Sequence, residues 1–317
     1  MSFTSDAKKE LTLIDPGKKC CQLAQISGFL RCAGTITLAG GLGLRVSTEN
    51  PAVARCYASL IKNYFGSMAE ISVEESSPVG GGRSYGLRLR AEHGAEAILR
   101  ETGILSVKEG SNYFTDGLDQ QVVKKRCCKR AALRGLFMAS GSVSGLTSRG
   151  YHMQIGCSSR AMAEDVKRLM GSFSLKPGIS QSGGKYLVYL KDGEQIADFL
   201  SVIGATGQMF KLQDSMIGRQ MKNRLNRIGN CENANLDKTV SAAQKQIADI
   251  RLIESSGRLS FLPERLRETA RLRTENPELS LAELAELFDP PLKKSGLNHR
   301  LAKLSEMAEE LRKSGQR

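Results

Sequence analysis

No stretch of this 317-residue chain stays apolar for the roughly 18–20 residues that a membrane helix needs, so a helical membrane span is not expected. The amino terminus, MSFTSDAKKEL, has no apolar signal core, and nothing in it directs export. Histidine is scarce: His93, His152 and His299 are scattered, and no Cys-x-x-Cys occurs. Zinc sites of the ribbon or finger kind, which need clustered Cys and His, are therefore not expected. Two vicinal pairs, Cys20-Cys21 and Cys127-Cys128, raise the metal question but lack that spacing. The eight cysteines read as reduced structural thiols of a cytoplasmic protein, with no metal and no cofactor. Acidic residues are also in deficit, 33 against 46 Lys and Arg, a formal net charge of +13. The excess divides into +9 over residues 1–212 and +4 over residues 213–317. A positive surplus of that size points to a polyanionic partner, chiefly nucleic acid.

What is present is a duplication. Cys20, Cys21, Ala24, Gly28 and Gly34 recur as Cys127, Cys128, Ala131, Gly135 and Gly141, all offset by 107. Tyr85, Leu89, Leu99 and Gly103 recur as Tyr186, Leu190, Leu200 and Gly204, all offset by 101. Two blocks in the same order with a length change between them indicate a copied domain. A solenoid unit would repeat every 20–50 residues.

Each copy predicts the order helix, two strands, helix, two strands, helix. In the first, Leu23, Ile26 and Leu30 fall at helical spacing, and strands are expected at Thr35–Leu38 and Leu44–Ser47 around Gly40-Gly41. Asn50-Pro51 opens a helix as N-cap and first residue, ending near Gly66. Strands at Ile71–Glu74 and Tyr85–Arg90 flank Gly80-Gly81-Gly82, and a helix over 95–102 stops at Gly103. In the second copy a helix is expected at Arg126–Ala139, strands at Ser142–Leu146 and His152–Gly156, and a helix at Ser159–Met170. Strands near Ser174–Leu175 and Tyr186–Leu190 and a helix at Glu194–Val202 complete it, with Ser106–Lys125 as the connection. After residue 212 strand signals vanish. A polar helical stretch over 213–255 breaks at Ser256-Gly257. The expected division is 1–105 for the first repeat, 106–212 for the second, 213–257 for a helical linker and 258–317 for an all-helical module.

That last module carries a capping box, Ser280 and Glu283, on a short helix with Leu281, Leu284, Ala285 and Phe288 on its apolar face. Asp289-Pro290-Pro291 stops it. Ser295 is expected to cap a second helix whose apolar stripe is Leu297, Leu301, Leu304, Ala308 and Leu311. With a preceding helix over Glu264–Arg273, the segment 279–312 reads as a helix-turn-helix. Its turn is longer than the tightest form and is similar to region four of bacterial sigma factors. The recognition helix would aim its first turns at base edges. Candidate DNA-contacting residues are therefore Lys293, Lys294, Ser295, Asn298, His299, Arg300 and Lys303, the two lysines for phosphates.

The duplicated helix with its spaced glycines, Gly28 and Gly34, then Gly135 and Gly141, in front of αββαββα order resembles the LAGLIDADG homing endonucleases. In that family the paired helices form the interface, and an acidic residue before the last glycine holds the catalytic metal. Here those positions are Ala33 and Ser140, and the neighbouring acidic position of the motif is Arg31 or Met138. None can ligate a divalent cation as a carboxylate does. The whole chain resembles the WhiA family: SFTSDAKKEL at 2–11, NRIGNCENANLDKTVSAAQKQI at 226–247, LPERLRETARLR at 262–273 and DPPLKKSGLNHRL at 289–301 carry the likeness. The resemblance implies an α+β fold, a duplicated αββαββα LAGLIDADG-like domain followed by an all-helical helix-turn-helix domain. It implies a non-enzymatic DNA-binding regulator of sporulation, cell division and chromosome segregation, cytoplasmic and nucleoid-associated. Its partner would be double-stranded DNA, with no membrane. Some lineages of the family also pair with a WhiB-like regulator, a partnership this sequence does not assign. The rival readings are an active metal-dependent homing endonuclease, and a partner- or ligand-sensing scaffold with auxiliary DNA binding.

Overall fold

The structure, a computed structural model, describes residues 2–38, 41–76, 82–144 and 150–314. Ser2 opens helix α1 (Phe3–Leu11), its hydroxyl accepting from the Ser5 amide at 3.2 Å. This helix precedes the repeat pattern expected from the sequence. It is tied down at both ends: the Thr4 hydroxyl donates to the Val143 carbonyl at 3.0 Å and accepts from the Val143 amide at 2.9 Å, while Ala7 and Leu11 are fully buried.

The first repeat follows as α2 (Lys19–Ala33), β1 (Gly34–Thr37), β2 (Gly43–Thr48), α3 (Pro51–Phe65), β3 (Glu70–Ser76), β4 (Gly82–Leu89) and α4 (Ala95–Glu101). Asn50 caps α3 through its side-chain oxygen, at 3.0 Å from the Ala52 amide, and Gly66 ends it with a left-handed φ of 71°. Gly40 and the turn at Gly80-Gly81 lie outside the described residues. The second repeat is α5 (Arg126–Ser140), β7 (Gly141–Ser144), β8 (His152–Cys157), α6 (Arg160–Gly171), β9 (Gly178–Ser182), β10 (Lys185–Leu190) and α7 (Gly193–Ile203), with Ser159 capping α6. The two sheets share one antiparallel topology, β1-β2-β4-β3 and β7-β8-β10-β9. The αββαββα duplication is therefore present as expected.

One strand needs correction. The strand placed at Ser174–Leu175 is instead Gly178–Ser182, because Ser174 takes a left-handed φ of 66° and the Leu175 amide still bonds back to Met170. The connection between the repeats, to which the sequence assigned no element, begins with a hairpin, β5 (Leu105–Lys108) and β6 (Ser111–Phe114), turning at Glu109-Gly110.

The repeats meet along α2 and α5, where small residues let the backbones touch. A Cβ on Gly28 would sit 2.4 Å from the Ala132 carbonyl oxygen, and one on Gly135 would sit 2.2 Å from the Gln25 oxygen and 2.9 Å from the Phe29 nitrogen. No side chain but hydrogen fits such an approach. Around the seam Phe29 stacks on Tyr57 at 3.5 Å, and Arg134, almost fully buried, donates to the Ile203 carbonyl at 2.8 Å and to Gln25 at 3.1 Å. Burial holds the Arg134 guanidinium below its ordinary range.

A helix of 50 residues, α8 (Thr206–Ser255), follows, ending where Ser256 and Gly257 break it. Its first turn is capped from a distance: the Glu10 carboxylate accepts from the Gly207 amide at 2.7 Å and the Gln208 amide at 3.1 Å. A carboxylate there satisfies otherwise unpaired N–H groups and complements the helix dipole. The chain forms two compact units, Met1–Arg219 and Gln220–Arg317. The second is helical: after the carboxy-terminal part of α8 come α9 (Glu264–Glu275), α10 (Leu281–Glu286) and α11 (Lys294–Ser314). No helix among the described residues is long and apolar enough to cross a membrane.

Candidate nucleic-acid interface

The helix-turn-helix is positioned by its own small core. Leu297, Leu301, Leu304 and Ala308 of α11 are buried against Leu284, Ala285, Phe288, Leu266 and Ala270, with Leu311 partly buried at the edge. The capping box at the start of α10 is complete: the Ser280 amide donates to the Glu283 carboxylate at 2.9 Å, and the Glu283 amide to the Ser280 hydroxyl at 3.4 Å. Those bonds hold the Glu283 carboxyl below the ordinary carboxylate range. Between α9 and α10 the loop is locked by Arg273, 1% exposed. Its guanidinium donates to the carbonyls of Leu279 and Asn276 at 2.9 Å each and of Pro277 at 2.8 Å. Between α10 and α11 the Leu292 amide closes on the Ala285 carbonyl at 2.9 Å. At the far end Arg312 donates to the buried Asp249 carboxylate at 2.6 Å, fastening α11 to α8.

This frame sets where the candidate contact residues go. Lys293, Lys294, Ser295, Asn298, His299 and Lys303 are all exposed. Ser295, His299 and Lys303 follow one another at four-residue steps and so form a stripe along the side of α11 turned away from the Leu297–Leu301–Leu304 core, with Asn298 beside it. Two residues sit differently from the sequence expectation. Helix α11 begins at Lys294, so Ser295 lies inside the first turn, and the Leu297 amide bonds to the Lys293 carbonyl. Arg300 leans back on the bundle, its guanidinium 5.5 Å from the centre of the Phe288 ring and 3.5 Å from the Arg265 carbonyl oxygen. The first turns of α11 thus present one amide, one imidazole, one hydroxyl and three ammonium groups on a rigid helix. Such a set can pair with base edges and phosphate oxygens.

In the amino-terminal unit, Ala33 and Ser140, the positions that the sequence resemblance set against the acidic pair of the motif, are the last residues of α2 and α5. The Ser140 hydroxyl donates to the Gly156 carbonyl at 2.8 Å. Arg31 clamps the connecting segment, donating to the Thr115 and Gly103 carbonyls at 2.7 Å each, and Met138 is buried. A cavity of about 620 Å³ opens beside Ser140, lined by Lys8, Glu49, Asn50 and small hydroxyl residues. It holds a single carboxylate, facing Lys8, whose ammonium burial shifts below its ordinary range. That pairing does not supply the facing carboxylates a hard divalent cation needs.

At the opposite, amino-terminal ends of α2 and α5 the structure brings together residues that their spacing had not shown to be neighbours. The sulfurs of Cys20, Cys21, Cys127 and Cys128 all lie within 4.8 Å of one another. Burial and the adjoining sulfurs push the Cys21 thiol up to about 12 and Cys128 to about 11, whereas Cys127, exposed and hydrogen-bonded by its neighbours, is lowered. The signal that could have found this cluster was in the repeat itself. Cys20 matches Cys127 and Cys21 matches Cys128 on the two helices that carry the interface glycines.

Comparison with known proteins matches three family models in succession: the WhiA N-terminal LAGLIDADG-like domain over residues 19–105, the WhiA LAGLIDADG-like domain over 129–222, and the WhiA C-terminal HTH domain over 225–308. A probable cell division protein WhiA of Alkaliphilus metalliredigens is 38% identical over 311 residues, 98% of each chain. One from Clostridium beijerinckii is 39% identical over 315 residues, 99% of this chain and 100% of its own. Among solved structures, full-length DUF199/WhiA from Thermatoga maritima aligns with a TM-score of 0.59 at 23% identity, covering 98% of this chain and 99% of that one. At that identity the likeness speaks to the fold. The duplicated LAGLIDADG-like architecture followed by a helix-turn-helix is common to both.

Proposed function

The chain belongs to the WhiA family, and from that premise and the exposed face of α11 we propose a non-enzymatic regulator that binds double-stranded DNA. The observation that carries the reading is the division of labour on α11. Leucines at 297, 301 and 304 anchor the helix, and Lys293, Lys294, Ser295, Asn298, His299 and Lys303 are left to solvent in its first turns. In helix-turn-helix proteins those turns enter the major groove. In this reading the module over 258–317 reads sequence, Lys293 and Lys294 hold phosphates, and the duplicated domain serves as scaffold with auxiliary contact. Its surplus of charge, +9 over residues 1–212, supports that auxiliary role. The relatives are named for cell division. We extend that to transcription control in cell division, chromosome segregation and sporulation, with the protein on the nucleoid. Ala33 and Ser140 support the non-enzymatic half of the proposal, since the scaffold keeps its paired helices without the acidic pair.

The test uses the full chain and a set of genomic duplexes. Binding should be salt-dependent and selective, and the duplexes should stay intact in magnesium or manganese. Cleavage that disappears on substitution at the end of α2 or α5 would overturn the non-enzymatic reading. Absence of any selectivity among duplexes would overturn the regulator reading.

A further inference from the structure

Four cysteine sulfurs lie within 4.8 Å of one another on the seam between the repeats, at the edge of its hydrophobic core. Each of the paired helices contributes two neighbours from its first turn, Cys20 and Cys21 from α2 and Cys127 and Cys128 from α5. The pairs are equivalent under the duplication, and across the seam Cys21 faces Cys127 and Cys20 faces Cys128. A tetrahedral ion with metal–sulfur bonds of about 2.3 Å holds its sulfurs about 3.8 Å apart. Here Cys127 and Cys128 are 4.0 Å apart and the whole set lies within 4.8 Å. Closing onto an ion asks for side-chain movements of about 1 Å or less, within rotamer adjustment.

The charges around the cluster point the same way. Neither α2 nor α5 has an acidic residue in its first turn or a side-chain cap, so the positive ends of both dipoles are uncompensated. Lys18 and Lys19 flank one pair, and Lys124, Lys125 and Arg126 the other, all exposed. A divalent ion with four thiolates is a dianion, and two uncapped helix amino termini, with these five cations adjacent in sequence, are suited to hold it. A donor set of four sulfurs selects a soft ion and rejects calcium or magnesium, which take oxygen. An iron–sulfur cluster spaces its cysteine sulfurs more widely than these.

We propose that Cys20, Cys21, Cys127 and Cys128 form a tetrathiolate site for one soft divalent metal of the zinc class, stapling the two repeats at the amino-terminal ends of α2 and α5. On binding, four metal–sulfur bonds form, the thiol protons leave to solvent, and no electron is transferred. The site lies at the end of the helix pair away from Ala33 and Ser140, so it is separate from the lost catalytic position.

The experiment is metal analysis of the full chain purified under reducing conditions without chelator, with cobalt(II) added to chelator-stripped protein as a spectroscopic probe. Expected are one zinc-class ion per chain, and thiolate-to-cobalt charge-transfer and tetrahedral d–d absorption on reconstitution. The double variant Cys20→Ser, Cys127→Ser, which changes the two less buried ligands, should lose the metal. Cys231→Ser, exposed on α8, should keep it. Chelator should lower the melting temperature of the unmodified protein and leave that of the double variant unchanged. A folded, reduced protein that carries no metal and gives no thiolate–cobalt bands would overturn the proposal, even if the double variant failed to fold. So would a stable disulfide linking the two pairs under the same reducing conditions.

Discussion

At the scale of single residues, glycine decides how the duplicated domain closes. The six-residue spacing of Gly28 and Gly34, repeated at Gly135 and Gly141, was visible in the sequence, and the structure shows that only the first of each pair serves the interface. Gly34 and Gly141 instead follow the last turns of α2 and α5 in extended conformation, with φ of −82° and −74°. Because a Cβ at Gly28 or Gly135 would overlap backbone rather than a movable side chain, even alanine should be resisted. Gly28→Ala and Gly135→Ala are each expected to destabilise the amino-terminal unit by about 1–3 kcal/mol, read as a lower denaturant midpoint at unchanged slope. Gly218→Ala is the contrast. That glycine lies within α8 with open space around it, so alanine should stabilise by up to about 1 kcal/mol. Equal effects at the three positions would contradict the close-approach account. At Arg273 the chemistry is equally local: its three bonds are divided between two guanidinium nitrogens, a fork that a single lysine ammonium does not match, and each hydrogen bond lost costs about 0.5–1.5 kcal/mol. Arg273→Lys should therefore lower the melting temperature of the helical unit even though the charge is kept.

Among secondary-structure elements, those that were legible in advance carry their reasons in local sequence. Asn50-Pro51, Ser159 and the Ser280–Glu283 box mark helix starts because short polar side chains satisfy the first amides. Elements that escaped notice depend on partners far away. Helix α1 has only nine residues and is held by Val143 and by its own role as a cap. Hairpin β5–β6 leaves Val107, Tyr113 and Phe114 about half exposed, so no alternation of burial announces it. The four-cysteine cluster is invisible to spacing rules because its two halves are 107 residues apart. Two predictions concern helix starts. Glu10 caps α8 from nearly 200 positions upstream. Glu10→Ala should cost about 0.5–2 kcal/mol and speed amide exchange at Gly207 and Gln208, while exchange later in α8 stays unchanged. The Glu283 cap has a pH signature. Its carboxyl is held below the ordinary carboxylate range by the Ser280 amide and hydroxyl, so its contribution is complete above that range and is lost as pH falls through the lower, folded value. Amide exchange at Ser280 should accelerate over that acid window in the natural protein, and Glu283→Gln should remove the pH dependence.

For the whole molecule the question is which surface reads DNA, and here sequence and structure inform each other unequally. The apolar stripe of α11 could be read from leucine spacing, and with it the exposure of Asn298, His299 and Lys303. The withdrawal of Arg300 could not, since it follows from Phe288 and from α9 packing beside it. The structure therefore separates the candidate residues into three groups with different expected behaviour. Asn298 stands free beside the His299 stripe and has the amide geometry to pair with adenine. Asn298→Ala should reduce preference for a specific site by about 1–3 kcal/mol, with little change on scrambled duplex. Lys293→Ala and Lys294→Ala should weaken both duplexes alike and flatten the salt dependence, because a phosphate contact carries no sequence information. Arg300→Ala should lower thermal stability as well as affinity, since its guanidinium lies on the Phe288 ring. Titrating specific and scrambled duplexes at several salt concentrations, alongside melting curves, distinguishes these three patterns. The strongest arm is deletion of residues 258–317. If the remaining chain bound the specific duplex as tightly as the full protein, the helix-turn-helix would not be the reader. The duplicated domain, which carries the larger share of the positive charge and sets Arg45 opposite Arg88 across β2 and β4, would take its place.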